Sequence, residues 1–301
     1  MVRMARIEGI SVAGSTCGEF VSLAGRQGEQ IERSVDSPIL ISRSDSIVVV
    51  PTYNERENII SLVKALRKLP IPLDILIVDD NSPDGTAEVV RGLIEDNEGI
   101  YLLERSGKLG LGSAYKEGFN FALRHGWEYI CQMDADFSHN PEDLVRLIDN
   151  CRGGADVAVG SRYVKGGKIA GWPLRRWMLS RLANLLAQTM LFTRVNDLTG
   201  GFKCFKASAV KQIGLDRVQS EGYIFQVEMN HLAAREGLSV KQIPICFTDR
   251  TAGKSKMGKH EAKDGFAQLK RLAVANIFSI IKNCYTNIIT CFRSKSCLVN
   301  K

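Results

Sequence analysis

The sequence lacks the features that mark a secreted or a membrane-spanning chain. No run of about 18 consecutive apolar residues occurs in it, and the most apolar stretch, residues 272–292, is interrupted by asparagine and lysine. Residues 1–45 contain arginines but no apolar core of the kind a secretory signal requires. We therefore expect a flexible N-terminal extension over residues 1–45 and a chain that spans no bilayer.

Metal-binding cysteine and histidine patterns are also lacking. None of the eight cysteines forms a CxxC pair, and four of them lie in or beside apolar runs, where a thiol packs as a small hydrophobe. This usage favours a reducing compartment. The four histidines share no ligand spacing, so we interpret them as turn, cap or surface residues: His125, His139, His231 and His260.

Positive charge is present in excess and is concentrated in two stretches. The 301 residues include 40 Lys and Arg against 33 Asp and Glu. Residues 162–181 contain six basic side chains and no acidic one, and residues 250–301 contain eleven basic against two acidic. Such clusters suit phosphates, nucleic acid or an acidic membrane surface, although a merely solvated basic face is an alternative for the tail. The acid-free stretch predicts arginines without a local carboxylate partner.

Short β-branched runs alternate with amphipathic stretches from Ser46 onward. This alternation is typical of a parallel sheet covered by helices, and the 45% hydrophobic content is enough for one core. The predicted strands are 47–50, 75–79, 100–103, 129–133 and 156–159, and the predicted helices are 59–69, 86–94, 112–124 and 141–150, the last capped by Asn140.

Polar residues follow each predicted strand, where ligands bind in an open parallel sheet. Asp134 and Asp136 follow the fourth strand, and their i, i+2 spacing lets both carboxylates meet one hard cation such as Mg²⁺ or Mn²⁺. An ordinary polar turn is the alternative. Asp79 and Asp80 follow the second strand, and two adjacent carboxylates repel each other unless they bind donors or a cation.

A glycine-rich loop over residues 105–113 follows the third strand and resembles a phosphate cradle. It is not a Walker loop, because the Gly-Lys-Ser/Thr order is absent. We interpret Gly110 and Gly112 as structural residues that permit close approach of the chain, with a minor role near a donor.

Seven segments occur in a recognisable order, namely PTYNERENI, DDNSPDGT, DADFSHNPED, GSRYVKGG, DLTGGFK, EGYIFQVEM and FTDRTAGKSKM. With them the chain resembles the dolichyl-phosphate mannose synthases, within the inverting nucleotide-diphospho-sugar glycosyltransferases. The resemblance implies a single Rossmann-like α/β domain of the GT-A type, with a mostly parallel mixed sheet flanked by helices. It places the catalytic domain at residues 46–258 and leaves residues 259–301 as a basic amphipathic segment.

The resemblance also implies a donor side and an acceptor side. The residues implied on the donor side are Pro51, Tyr53, Glu55, Val78, Asp80 with Asp79, Asp134 and Ala135 for substrate, and Asp134, Asp136 and Ser138 for metal. Ser138 stands where some relatives have glutamine, which puts that contact in doubt. The implied phosphate-binding residues on the acceptor side are Arg162, Arg176, Ser180, Arg250 and Lys256, with Asp136, Arg162 and Arg250 forming the catalytic set.

The implied reaction is metal-dependent transfer of mannose from GDP-mannose to dolichyl or another polyprenyl phosphate, with inversion. Transfer of glucose from UDP-glucose is the alternative. A phosphate monoester is largely ionised at neutral pH, so no general base is demanded. Glu228 stands where relatives with hydroxyl acceptors would have a base and equally fits a structural polar residue, so it is left out of the catalytic set. Nucleic-acid binding is disfavoured because the basic tail lacks regular aromatics, and a silent scaffold is disfavoured by the intact Asp pair.

A lipid acceptor implies contact with a membrane at its cytosolic face, that of the endoplasmic reticulum or of a prokaryotic plasma membrane. From Phe266 the C-terminal segment combines spaced apolar residues with Lys270, Arg271 and Lys282. It suits an anionic bilayer or a small membrane-anchoring subunit. A helix that packs back on the catalytic domain is the equal alternative.

Overall fold

The computed structural model describes residues 44–249 and 265–278. The strands are β1 (Ser46–Thr52), β2 (Asp74–Asp79), β3 (Ile100–Glu104), β4 (Tyr129–Gln132), β5 (Val157–Ser161), β6 (Lys168–Ala170), β7 (Lys203–Lys206), β8 (Val240–Pro244) and β9 (Cys246–Thr248). The helices are α1 (Arg56–Arg67), α2 (Thr86–Asp96), α3 (Leu111–His125), α4 (Asp143–Arg152), α5 (Leu174–Leu191), α6 (Ala207–Ile213) and α7 (Gly222–Arg235), with a 3₁₀ turn at Leu215–Arg217. Residues 265–278 are also helical.

A seven-stranded sheet forms the centre, in the order β3-β2-β1-β4-β7-β5-β8. β7 runs antiparallel to both of its neighbours, β4 and β5, whereas the other neighbouring strands are parallel. The predicted mixed, mostly parallel sheet is therefore confirmed. A second sheet pairs β6 with β9 at one side of the domain.

The central strands are buried on both faces, which explains their nearly continuous apolar sequences. In β1, Val48 and Val50 pack toward the layer that contains α1, α2 and α4. Ile47 and Val49 alternate with them and pack toward the layer that contains α3, α6 and α7. The sheet thus lies between two helical layers, as the alternating sequence predicts.

The predicted strands and helices are confirmed, with shifts of a few residues at their ends. The largest shift is at α1, which begins at Arg56 instead of residue 59, and α4 begins at Asp143 instead of residue 141. The predicted cap is wrong, because Glu142 and not Asn140 precedes the first residue of α4. The Asn140 Oδ1 instead accepts the backbone N–H of Glu142 at 3.2 Å in the turn before the helix.

The described part of the C-terminal segment packs back on the domain. Leu269, Leu272 and Ala273 are buried in a small apolar cluster with the C-terminal half of α5 and with α7. Phe266 and Phe278 are exposed on the same helical segment. Across residues 44–249 and 265–278, no helix has the length and apolar character needed to cross a membrane.

Candidate active site

The candidate site lies where the sheet order changes direction. From β1 the chain adds β2 and then β3 on one side, and β4 pairs with the opposite side of β1. Ligands of open α/β sheets bind beyond the carboxyl ends of the strands at such a switch point. The loop after β1 contains Tyr53 and Glu55, and the loop after β4 contains Asp134 and Asp136. The fold therefore brings these two predicted groups to one crevice.

Asp134 and Asp136 are held by different donors. The Tyr115 hydroxyl, from the first half of α3, donates to Asp134 Oδ1 at 3.1 Å. The backbone N–H of Ser138 donates to Asp136 Oδ1 at 3.0 Å, across Phe137, whose φ of 57° is left-handed. Burial and the negative charge of Asp134 raise the pKa of Tyr115, so the phenol stays a donor.

The surroundings of this pair fit a hard cation. The residues described by the structure contain no group of three or more His, Cys, Asp or Glu side chains placed to hold a metal. Two carboxylates with further oxygens from a diphosphate and water are a common way to hold Mg²⁺ in phosphate-transfer sites. Room exists beside them, because Gly201 has no side chain and a Cβ there would lie 3.4 Å from both Asp134 oxygens. Ser138 is buried, and its predicted role as a metal ligand stays a prediction.

The adjacent carboxylates after β2 bind donors. Asp79 accepts the Thr52 hydroxyl at 2.7 Å and the Ser82 hydroxyl and N–H at 2.6 and 2.8 Å. Asp80 forms a buried ion pair with Arg105 and accepts the N–H of Gly110 at 3.2 Å. Their repulsion is therefore relieved within the protein, and adjacency does not by itself require a cation.

The loops after β1 and β2 are tied together on the predicted donor side. The N–H of Asn54 donates to Ser82 Oγ at 3.0 Å, and the N–H of Glu55 donates to Thr86 Oγ1 at 3.1 Å. The ammonium of Lys108, from the glycine-rich loop, lies 4.5 Å from the centre of the Tyr53 ring. An aromatic face and a cation thus lie together where a nucleoside diphosphate is expected.

The other three residues predicted to bind the donor differ in how exposed they are. Pro51 is partly exposed at the end of β1. Val78 is fully buried in the core cluster that faces α3, so only its backbone is left for the predicted substrate contact, which stays a prediction. Ala135 is also buried, in the opposite core cluster, which excludes its side chain from the crevice in the same way.

The glycine-rich loop behaves as predicted. Gly110 has a φ of 102°, which non-glycine residues rarely adopt. A Cβ on Gly112 would lie 3.0 Å from the carbonyl oxygen of Ser220 and 3.2 Å from Phe225 Cβ. Gly112 therefore permits α3 to approach α7 closely.

Arg162 directly follows β5 and is paired. Its Nε and Nη2 donate to the two carboxylate oxygens of Asp197 at 2.7 and 2.6 Å, and Nη2 also donates to Thr199 Oγ1 at 2.9 Å. No carboxylate of its own acid-free stretch pairs with it, as predicted, but Asp197 approaches from 35 residues further along the chain. The rings of Tyr163 and Phe247 lie within 5.3 Å of its guanidinium carbon.

Arg176 has a partner too, but an exposed one. Its Nη1 donates to Asp249 at 3.0 and 3.1 Å, and its guanidinium carbon lies 4.1 Å from the Trp172 ring centre. One turn along α5, Ser180 Oγ accepts the Tyr163 hydroxyl at 2.7 Å. Arg250 and Lys256, the other two residues predicted for the acceptor side, lie outside the described residues.

Of the two alternatives for Glu228, the structure favours the structural one. Its Oε2 accepts the backbone N–H groups of Gln219 and Ser220 at 3.0 and 2.7 Å. This carboxylate therefore holds the loop that precedes α7.

The rings of two histidines are buried, which the prediction of turn, cap or surface positions does not include. His139 is buried, stacks on Phe202 with ring centres 4.8 Å apart, and has its pKa lowered to about 4, first by burial. His231 is buried in α7, and burial lowers its pKa to about 4 as well. Each histidine has a polar neighbour in the sequence, so the local pattern does not indicate that its ring is buried.

The sequence gives little indication of a buried polar network beneath the site. Lys203 in β7 is fully buried, and burial lowers its pKa to about 7 despite the nearby charges of Asp197 and Asp134. Its Nζ donates to Gln226 Oε1 at 2.6 Å, and Gln132 Nε2 donates to the same oxygen at 2.5 Å. The only available signal is a lysine and a glutamine inside otherwise apolar strands.

The chain is similar to characterised transferases in sequence. Residues 47–214 match the family model described as glycosyl transferase family 2. The chain is 40% identical over 232 residues to a polyprenol monophosphomannose synthase of Mycolicibacterium smegmatis, covering 76% of this chain and 88% of the relative. It is 40% identical over 211 residues to an undecaprenyl-phosphate mannosyltransferase of Micrococcus luteus, covering 70% and 86%.

Solved structures share the fold. A glucosyl-3-phosphoglycerate synthase of Mycobacterium tuberculosis, in complex with Mn²⁺, UDP and glucosyl-3-phosphoglycerate, superposes with a TM-score of 0.55 at 15% identity, covering 84% of this chain and 86% of the other. A mannosyltransferase of Pyrobaculum calidifontis, in complex with GDP-mannose and Mn²⁺, superposes with a TM-score of 0.51 at 22% identity, covering 82% and 68%. The family match, the identity to the two relatives and this shared fold agree that the chain belongs to glycosyl transferase family 2.

Proposed function

We propose that this protein transfers mannose from GDP-mannose to dolichyl or another polyprenyl phosphate, with inversion and with a divalent cation, Mg²⁺ or Mn²⁺. The observation that carries the proposal is that the loop with Asp134 and Asp136 lies close to Arg162. The Phe247 ring contacts both the Arg162 guanidinium and His139 of that loop. The relatives at 40% identity support both the sugar and the lipid phosphate, since their names state them.

On the donor side, Asp134 and Asp136 would hold the cation against the sugar diphosphate. A bound divalent cation stabilises the negative charge that accumulates on a leaving nucleoside diphosphate. Tyr115 fixes the orientation of Asp134 from α3. Tyr53 and Glu55 would contact the nucleoside, with Lys108 near the phosphates and Asp80 held in position by Arg105.

On the acceptor side, arginines would hold a phosphate that must approach another phosphate-bearing substrate. The planar guanidinium suits this role because it binds phosphate oxygens in pairs. Arg176 is exposed and can exchange Asp249 for a ligand, and Arg250 and Lys256 are proposed to join it. An ionised phosphate attacks without a general base, which agrees with the use of Glu228 as a loop anchor.

The surface of α5 supports contact with a membrane, where the lipid acceptor resides. Five apolar side chains of this helix are each more than half exposed, namely Leu174, Met178, Leu179, Leu182 and Leu185. Arg175 and Arg181 lie among them, and a basic helix with exposed apolar residues favours an anionic bilayer. We propose a peripheral protein at the cytosolic face of a membrane, with a small anchoring subunit as a further partner.

The experiment uses the purified full chain, Mn²⁺ or Mg²⁺, a polyprenyl phosphate in detergent or vesicles, and radiolabelled GDP-mannose or UDP-glucose in separate reactions. Label in a lipid that migrates as polyprenyl phosphomannose, and NMR assignment of its β-linkage, are the expected results. Transfer from UDP-glucose alone would replace the proposed donor. Labelling with neither donor would contradict the proposed function.

A further inference from the structure

The inference concerns the side-chain amide of Gln226, which lies beneath the carboxylate side of the crevice. Gln226 belongs to α7 and is 2% exposed. Its oxygen Oε1 accepts two donors, Lys203 Nζ at 2.6 Å and Gln132 Nε2 at 2.5 Å. No hydrogen-bond partner of its nitrogen Nε2 is found among the residues that the structure describes.

The orientation of this amide is determined by its neighbours. The charged form of Lys203 can only donate, and Gln132 Nε2 donates to the same oxygen, so the oxygen of Gln226 faces both donors. A flipped amide would place two donors against each other in a buried place, which costs free energy. The Nε2 group must therefore point away from Lys203.

On that side the chain leaves a gap. A Cβ on Gly201 would lie 3.6 Å from Gln226 Nε2 and 3.4 Å from both carboxylate oxygens of Asp134. The amide nitrogen and the carboxylate thus border the same small space, which only the absence of a side chain at Gly201 keeps open. A hydroxyl group in this space would accept a hydrogen bond from the amide and could donate one to the carboxylate.

We propose that Gln226 positions the donor sugar, with its Nε2 donating to a hexose hydroxyl bound beside Asp134 and with Lys203 and Gln132 fixing its orientation. This inference rests on the proposed function for the identity of the sugar nucleotide. Gln226 would then be a neutral residue that recognises a sugar hydroxyl, whereas Asp134, Asp136 and Lys108 act through their charges. Gln226 would therefore contact the hexose of GDP-mannose and not its GDP part.

The test compares binding of GDP with binding of GDP-mannose, each with Mn²⁺, by calorimetry. Gln226→Glu keeps an oxygen facing Lys203 and removes the donor. We expect its affinity for GDP-mannose to fall about tenfold or more, as for a buried polar contact left unpaired, while its affinity for GDP changes less than about twofold. Gln212→Glu, on the exposed surface of α6, is the matched control and leaves both affinities unchanged.

Gly201→Ala supplies an independent variant that fills the gap. Its methyl group makes only ordinary contacts of 3.4 Å or more, and no positive φ is found at this residue, so the fold is retained. We expect the same selective loss of GDP-mannose affinity. Thermal unfolding of each variant checks that the fold is intact.

The two proposals fail differently. Absence of mannose transfer by the wild-type chain contradicts the proposed function, and the binding comparison is then made with UDP and UDP-glucose. Equal losses for nucleotide and nucleotide sugar, no loss in either variant, or a wild-type chain that binds no sugar nucleotide would overturn the role of Gln226.

Discussion

Arg162 and Arg176 both lie near the Trp172 ring and differ most in how deeply their ion pairs are buried. The Arg162 side chain is 7% exposed and its partner Asp197 is 0% exposed. The Arg176 side chain is 41% exposed and its partner Asp249 is 40% exposed. Both arginines pair with an aspartate, but only the exposed pair can separate easily so that the arginine binds another anion.

The difference follows from solvation. Separating a buried pair leaves an uncompensated charge in a poorly solvated place, whereas water replaces the partner of an exposed pair at little cost. Arg162 is thus a fixed part of the architecture, comparable with the buried Arg105–Asp80 pair on the donor side. Arg176 is the arginine that can turn from Asp249 to a phosphate.

The largest expected effect is the loss of mannose transfer when Asp136 is replaced. The effects of replacing the two arginines are compared with this loss. Asp136→Ala should lower mannose transfer on the order of a thousandfold or more, because the charge stabilisation that a bound cation supplies is worth several kcal/mol. Asp136→Asn keeps an acceptor for the Ser138 N–H and should be as inactive while retaining the unfolding midpoint. Near-normal turnover in either variant would remove Asp136 from the cation site.

Arg162→Ala should have the next largest effect, and that effect should appear in stability. Removing one partner of a buried pair costs about 3–5 kcal/mol of unfolding free energy, and Asp197 would be left buried. Denaturant unfolding measures the loss. A change below about 1 kcal/mol would show that the pair is dispensable and would abolish the contrast with Arg176.

Arg176→Ala should leave stability within about 1 kcal/mol, since its pair is exposed. The KM for polyprenyl phosphate should rise about tenfold, as expected for loss of a charge-assisted contact, with the KM for GDP-mannose unchanged. Arg217→Ala, which removes a similarly exposed arginine from its ion pair with Glu236, is the matched control. Equal changes in both KM values would count against an acceptor role.

The smallest expected effect is a pH dependence of the unfolding free energy. The stabilities of the two arginine variants must therefore be compared at one pH. Burial lowers the pKa of His231 from 6.5 to about 4, so the unfolded chain binds a proton that the folded chain does not. Its contribution to stability is complete above pH 6.5 and is lost as the pH falls toward 4. We expect His231 to lower the unfolding free energy by about 1 kcal/mol at pH 6 relative to pH 8, with buried His139 adding to the total. The dependence should be flatter by about the His231 share in His231→Gln.

The sequence predicts the sheet, the crevice and its carboxylates, because these depend on local patterns. Alternating apolar runs give β1 to β5, and the position of Asp134 and Asp136 after a strand gives their place at the crevice. The pairing of Arg162 with Asp197 is not predictable in this way, since the partners meet only when β5 and the loop before β7 come together. The burial of His231 and Lys203 also depends on tertiary packing, which local polarity conceals.

The most direct test of the account is the transfer of labelled mannose by enzyme freed of metal with a chelator and then titrated with Mn²⁺. The account predicts loss of transfer after chelation, recovery on addition of Mn²⁺ or Mg²⁺, and no recovery in Asp136→Ala. Full transfer in the presence of excess chelator would contradict the claim that Asp134 and Asp136 act through a bound divalent cation.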